Sequence, residues 1–276
     1  MRERERLYKK IILITGSQGL LGKNYVDFLI KSGAIVIACD INNFPCNLDE
    51  KNRINFSIKK NLIYYYCDIQ KEKSVEKMFE ELKGIEVYPN SLVNNAARNP
   101  SLEKIKNKVS TRFEDFSLEE FKLDLDISLV GSFLCSKYFY KNALKEKIDN
   151  LNIVNISSDL GIISPDQRLY AKNENKLSLY DSVKPVSYSI CKHGIHGLTK
   201  YLATYDPKRL RSNTLYPGGV FNEQNEEFLK RIIKRIPQGR MANQSEFNGA
   251  LNFLLSEDSK YMNGSSLIID GGRSSW

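Results

Sequence analysis

Leu13-Ile-Thr-Gly-Ser-Gln-Gly-Leu-Leu-Gly22 decides how this chain is read. A short apolar run, residues 11–14, precedes the glycines, and Lys23-Asn-Tyr-Val-Asp-Phe-Leu-Ile30 follows with apolar residues at helical spacing. A strand, a glycine-rich turn and a helix form the unit in which backbone N–H groups and a helix N-terminus receive a pyrophosphate. In that unit Gly16 allows the tight turn and Gly19 lets backbone approach phosphate. Gly22 lets the helix pack against the strand. Three glycines alone also fit an ordinary βα turn, so the rest of the chain has to decide.

The 276 residues suit one large α/β domain spanning 1–276, and 41% hydrophobic content is enough for a sizeable core. No apolar run approaches the roughly 18 residues of a membrane span. The start, Met1-Arg-Glu-Arg-Glu-Arg6, carries both charges and lacks an apolar signal core, so a cytoplasmic protein is expected. Five scattered cysteines (Cys39, Cys46, Cys67, Cys135, Cys191) without Cys-x-x-Cys spacing point to a reducing compartment and no metal site. Net charge is +8, but the basic residues interleave with acids, as in Glu72-Lys-Ser-Val-Glu-Lys77. No dense Lys/Arg stripe is present, so nucleic acid is not an expected partner, and the charge suits a phosphorylated small substrate.

Ala34-Ile-Val-Ile-Ala-Cys39 reads as a buried strand ending in Asp40, 18 residues past Gly22. That is near the ~20-residue separation at which a carboxylate meets the adenosine ribose hydroxyls. A strand-end Asp capping a turn is the plainer reading of the same residue. The carboxylate would repel a 2′-phosphate by about 3 kcal/mol per charge pair at ~5 Å and an effective dielectric of ~20. Neither Ser17 nor Gln18 is basic enough to offset it, so NAD is preferred over NADP.

Residues 42–61 read as a polar loop or short helix, and Leu62-Ile-Tyr-Tyr-Tyr-Cys67 as a third strand. A helix over 71–83, a strand in Ser91-Leu-Val-Asn-Asn-Ala-Ala97 and a long helix over 116–140 follow. Ile153-Val-Asn-Ile-Ser-Ser158 is the fifth strand, and 29 irregular residues (159–187) lead to a helix over 188–204. Beyond it lie a strand over 211–215, the turn Pro217-Gly-Gly219, helices near 223–236 and 245–255, and a last strand, Ser266-Leu-Ile-Ile269. Such alternation predicts a three-layer α/β/α, Rossmann-type, doubly wound parallel sheet.

Ser158, Tyr188 and Lys192 carry the chemistry. The Tyr and Lys are four apart on a predicted helix, hence on one face. A phenol with a pKa near 10 needs roughly 4 kcal/mol of preference for its anion to work at neutral pH. One ammonium at ~4 Å supplies about that much at an effective dielectric of ~20. The serine hydroxyl at the strand end holds the substrate oxygen while the proton moves. Tyr180-Asp-Ser-Val-Lys184 has the same spacing, but Pro185 disfavours helix through Lys184. His193 and His196 read as packing or solvent-facing residues.

These pieces together resemble a short-chain dehydrogenase/reductase of the classical branch over essentially the whole chain. The match rests on Thr15-Gly-Ser-Gln-Gly-Leu-Leu-Gly22, Asp40, Asp68-Ile69, Asn94-Asn-Ala-Ala97, Ser158, Tyr188 with Lys192, Pro217-Gly218 and Asp270-Gly-Gly272. The resemblance implies that Asp68 and Ile69 flank the adenine, Asn95 and Ala96 the adjacent ribose, and Lys192 the nicotinamide ribose. Pro217, Gly218 and Val220 would line the nicotinamide. Gln18, Leu20, Ile41 and Tyr188 complete the expected cofactor contacts, and a homo-tetramer or dimer is implied.

Three departures from the family pattern stand out. The spacing Thr-Gly-x-x-Gly-x-x-Gly is closer to the epimerases of the extended branch. In Asp126-Ile-Ser-Leu-Val-Gly131 the family's water-holding Asn is Ser128. Residues 159–187 are about twice the usual length and resemble enzymes of bacterial surface-glycan and flagellin-sugar pathways. The expectation is an NAD-dependent oxidoreductase interconverting a secondary alcohol and a ketone on a sugar or sugar-nucleotide, with Arg168, Lys172 and Lys176 available to phosphate. A 3-oxoacyl-type reductase would share the machinery but line residues 159–187 with apolar groups. A dinucleotide-sensing or scaffold protein is the other alternative, and an extended-branch epimerase or dehydratase lacks room for its larger substrate domain.

Overall fold

Successive residues of the first strand point to opposite sides of a sheet, and both sides are buried. In β1 (Ile11–Thr15), Ile12 and Ile14 enter one core while Leu13 enters the other. This is why the parallel strands read as continuous apolar runs rather than alternating ones. A computed structural model of the chain describes residues 7–42, 44–57, 61–99, 110–172, 178 and 181–276. Within them β1, β2 (Ile35–Asp40), β3 (Ile54–Phe56), β4 (Leu62–Tyr66), β5 (Ser91–Asn94), β6 (Leu151–Ile156), β7 (Leu210–Pro217) and β8 (Ser266–Ile269) form one sheet. Its order is β3-β4-β2-β1-β5-β6-β7-β8.

Helices cover both faces. On one side α2 (Glu72–Gly84), α4 (Gly131–Lys145) and α5 (Val186–Tyr205) press Met78, Phe79, Leu82, Leu134, Phe139 and Leu202 onto Leu13, Ile37, Tyr65, Leu92 and Ile153. On the other, α1 (Leu20–Lys31) and α7 (Asn248–Leu255) bring Tyr25, Leu29, Leu251 and Leu254 against Ile12, Ile14, Val36, Val93 and Val154. Two further helices, α3 (Leu118–Leu125) and α6 (Glu226–Ile233), contribute no residue to these two cores. The chain leaves β1 toward β2 and returns on the other side at β5. A crevice therefore opens at the carboxyl ends of those strands, where ligands bind in open α/β sheets.

Four expectations need correction. The polar stretch 42–61 contains β3, which pairs antiparallel with β4 through Ile54↔Tyr65 and Phe56↔Ile63, so the sheet is mostly rather than wholly parallel. A three-residue edge strand is too short to leave a periodic signal. The helix expected over 116–140 is α3, a π-helical turn at Asp126–Val130, and then α4. Gly131 marks that junction, since a Cβ there would lie 2.6 Å from Ile69 Cδ1. Ser158 stands two residues beyond β6, and the stretch 159–187 holds 3₁₀ turns at Asp159–Gly161 and Gln167–Tyr170 before α5 begins at Val186. The helices expected near 223–236 and 245–255 shorten to α6 and α7, the latter preceded by a 3₁₀ turn at Gln244–Phe247. Among the described residues no helix is long and apolar enough to cross a membrane, and no group of three or more His, Cys, Asp or Glu is placed to hold a metal.

Candidate active site

The crevice is a cleft of about 1240 Å³, and nearly every expected cofactor residue lines it. Gly16, Gln18, Gly19 and Leu20 come from the β1–α1 turn, Asp40 and Ile41 from the end of β2, and Asp68 and Ile69 from the end of β4. Asn95 and Ala96 follow β5, and Pro217, Gly218 and Val220 follow β7. Gly16 has φ +63°, and a Cβ there would lie 2.7 Å from Ala96 Cα, so only glycine lets the turn meet the β5 loop. The Thr15 hydroxyl ties the same junction by accepting from Asn95 N and Ala96 N, both at 3.1 Å. Gly22 does not line the cleft. A Cβ there would lie 2.0 Å from Gly16 O, so this glycine packs α1 onto the turn itself rather than onto the strand.

The donor set fits a dinucleotide. Gly19 caps α1 without a side-chain acceptor, and no acid stands in the first turn, so the helix N-terminus keeps its amides and its positive end for an anion. Asp40 Oδ2 accepts from Gln18 N at 2.8 Å and Oδ1 from Ile41 N at 2.7 Å, which fixes the carboxylate at the strand end. Asp40 braces the turn, as the plainer reading expects, and it also lines the cleft.

At the other end of the cleft, Ser158, Tyr188 and Lys192 converge. Ser157 Oγ donates to Lys192 O at 2.7 Å, and a Cβ on Gly161 would lie 2.7 Å from the same carbonyl, so the turn carrying Ser158 is pressed onto α5. Burial pushes the Tyr188 phenol up to about 12, against the opposing effect of the nearby Ser158 hydroxyl. Lys192 is buried, donates to Ile156 O at 3.1 Å and is pulled down to about 8 by desolvation. Its ammonium lies 5.8 Å from the centre of the Tyr188 ring. The phenol therefore keeps its proton at neutral pH, which is the state a proton donor needs.

Several neighbours were not expected at the site from the sequence. The Ser158 hydroxyl donates to Asp159 Oδ1 at 2.8 Å, and Asp159 Oδ2 accepts from Arg273 Nη1 at 2.6 Å, a buried pair closed from the far end of the chain. Lys184 places its ammonium 3.8 Å above the centre of the Tyr188 ring, closer than Lys192. Pro185 at the N-terminus of α5 confirms that helix does not run back through Lys184. Spacing could still have flagged this residue, since lysines stand four positions on each side of Tyr188. Tyr180 and Lys176 lie outside the described residues.

Other expected groups face elsewhere. Arg168 is paired with Asp166 through Nε and Nη2, both at 2.9 Å, and does not line the cleft; Lys172 does. A nearby acid captured the arginine that the phosphate expectation relied on. Ser128 is buried in the π turn, where its carbonyl accepts from Ser132 Oγ at 2.6 Å. His193 Nδ1 lies 2.9 Å from Ser189 O and His196 Nδ1 2.7 Å from the Tyr216 hydroxyl, both outside the cleft.

The family model described as Enoyl-(Acyl carrier protein) reductase matches residues 18–274. The chain belongs to the short-chain dehydrogenase/reductase family. It is an NAD(P)-dependent oxidoreductase of that family. Post-translational flagellin modification protein A of Campylobacter coli is 29% identical over 270 residues, covering 96% of this chain and 98% of that protein. A 3-oxoacyl-[acyl-carrier-protein] reductase of Thermotoga maritima is 27% identical over 276 residues, covering 97% and 98%. Among solved structures, a short-chain dehydrogenase of Leptospira borgpetersenii with bound NAD+ superposes with a TM-score of 0.82 at 30% identity, covering 99% of this chain and 96% of that one.

Proposed function

We propose that this oxidoreductase interconverts a secondary alcohol and a ketone on a sugar or sugar-nucleotide of surface-glycan biosynthesis, with NAD as its cofactor. The convergence of Ser158, Tyr188 and Lys192 in the same cleft as the glycine turn and Asp40 carries this reading. The turn after β1 would hold the pyrophosphate, Asp40 the adenosine ribose, Asp68 and Ile69 the adenine, and Lys192 the second ribose. When bound, the nicotinamide supplies or accepts the hydride.

Tyr188 serves as acid and base at the substrate oxygen. Its proton goes to that oxygen on reduction and returns on oxidation. Ser158 holds the same oxygen, for which its hydroxyl turns away from Asp159 Oδ1; the Arg273 guanidinium then remains as the partner of that carboxylate. Lys192, fixed on Ile156 O, keeps a positive charge beside the phenol and favours its anion once the proton has left. NAD is preferred because the Asp40 carboxylate faces the place of a 2′-phosphate and neither Ser17, Gln18 nor Asn42 is basic.

The sugar reading draws on the lining of the inserted stretch. Asp159, Lys172, Asp181, Ser182 and Lys184 stand at the cleft wall beside Leu160, Leu169, Tyr170 and Ala171, whereas an acyl chain calls for an apolar wall. The resemblance to a flagellin-modification protein supports the same choice. The test is NADH formation or consumption against amino sugars, sugar phosphates, sugar nucleotides and a 3-oxoacyl thioester, with Tyr188→Phe in parallel. Turnover of a sugar that falls at least a thousandfold in the variant, with NADH binding kept, is expected. Turnover of the thioester alone would overturn the sugar assignment, and an active Tyr188→Phe would overturn the role of the tyrosine.

A further inference from the structure

We propose that Lys184 is the substrate-recognition cation of this site, holding an oxyanion group, carboxylate or phosphate, carried next to the reacting carbon. The inference rests on the proposed function only for where the reacting oxygen sits, at the Tyr188 hydroxyl.

Four other cations at the cleft have their needs met internally. Arg273 pairs with Asp159, Arg98 with Glu120 and Asp124, and Arg231 with Glu227 and the carbonyls of Ala171 and Lys172. Lys192 donates to Ile156 O. Lys172 is exposed and keeps its water. Lys184 differs from all of them: it is half-buried, and its ammonium donates to a neutral group, Asn99 Oδ1, at 2.6 Å. No carboxylate lies within ion-pair distance of it among the described residues. Burial and the neighbouring Lys192 charge pull it down to about 8. A partly desolvated ammonium without a counter-ion is a deficit that an anionic ligand removes.

The position is built rather than accidental. Lys184 N donates to Gln167 Oε1 at 2.8 Å, Val183 N donates to Thr111 Oγ1 at 3.0 Å, and Pro185 begins the turn into α5. The side chain rises from this anchored backbone and lays its ammonium over the face of the Tyr188 ring, 3.8 Å from the centre. A substrate whose oxygen meets the Tyr188 hydroxyl brings the groups on its adjacent carbon within reach of that ammonium. The side chain thus favours acid or phosphate sugars over neutral polyols. The charged groups that face Lys184 are Lys192, Asp159, Asp124 and Arg273. Of these, Asp159 is already committed to Arg273, and Asp124 to Ser187 and Arg98.

The experiment is calorimetric titration of malonate, and separately of inorganic phosphate, into protein saturated with NADH, so that the glycine-loop anion site is already filled. Wild type is expected to bind one of the two. Lys184→Gln should weaken that binding about tenfold to a hundredfold, the range of one charge-assisted hydrogen bond, while Lys184→Arg and Tyr188→Phe keep it. Preference for malonate assigns a carboxylate and preference for phosphate a phosphoryl group. Wild-type affinity should also fall as pH rises past about 8, where Lys184 loses its proton. Equal affinity in wild type and Lys184→Gln, or binding of neither probe by wild type, overturns the proposal. Once a substrate is in hand, Lys184→Gln should raise KM for the acidic substrate and leave its neutral analogue unchanged. A fall in kcat for both alike would instead make Lys184 a prop for the Tyr188 ring and refute recognition. Loss of all turnover with malonate or phosphate binding intact would refute the proposed function and leave this inference standing.

Discussion

Cofactor choice offers the sharpest test, because it turns on one charge and needs no substrate. Asp40 sits at the end of β2 with Oδ2 accepting from Gln18 N at 2.8 Å, half-buried at the wall of the cleft. At ~5 Å and an effective dielectric of ~20, one like-charge pair costs about 3 kcal/mol, and an open cleft trims this to about 2–3 kcal/mol. Asp40→Asn removes the charge and keeps one acceptor for Gln18 N, so the turn survives. The expected outcome is NADPH affinity rising roughly 30- to 150-fold relative to NADH. Fluorescence titration of both reduced dinucleotides into wild type and variant measures it. A relative affinity within threefold of wild type would show that charge at position 40 does not set the choice, and the preference for NAD would lose its physical basis.

Gly22→Ala places a Cβ 2.0 Å from Gly16 O, so α1 has to shift. A loss of about 1–3 kcal/mol, seen as a fall of several degrees in Tm, should accompany weaker NADH binding. Lys192 is protonated below about 8 in the folded chain but up to about 10.5 when unfolded. The unfolded chain therefore holds more protons in that window, and stability rises with pH across it. Lys192→Met should flatten the rise by one proton, measured as Tm against pH. Arg273→Ala strands the buried Asp159 carboxylate and should cost about 3–5 kcal/mol by denaturant unfolding. Adding Asp159→Asn should restore much of that; a double variant no more stable than Arg273→Ala would show that the pair is not what the loss reports.

Much of this protein was legible in local patterns. The β1 run, the glycine turn, Asp40, the four-residue step from Tyr188 to Lys192 and Pro217-Gly218 are neighbours in sequence. Their readings depend on strand burial and helical periodicity, which short windows contain. The structure brings Gly16, Gly19, Asp40, Tyr188, Lys192, Pro217 and Gly218 to one cleft, with the β1 run buried behind it and Gly22 packed against the turn. Sequence alone therefore determined the sheet, the crevice and the class of chemistry. What it left open concerns partners far apart in the chain. Arg168 looked available until Asp166 took it, whereas Lys184 looked like part of a decoy until the fold laid it over Tyr188. Arg273 reaches Asp159 across 114 positions, and β3 exists only because β4 is there to pair with it. A charge or an edge strand carries no periodic signature of its own. Its meaning depends on which groups the packed elements place within a few ångströms, and only the tertiary structure decides that.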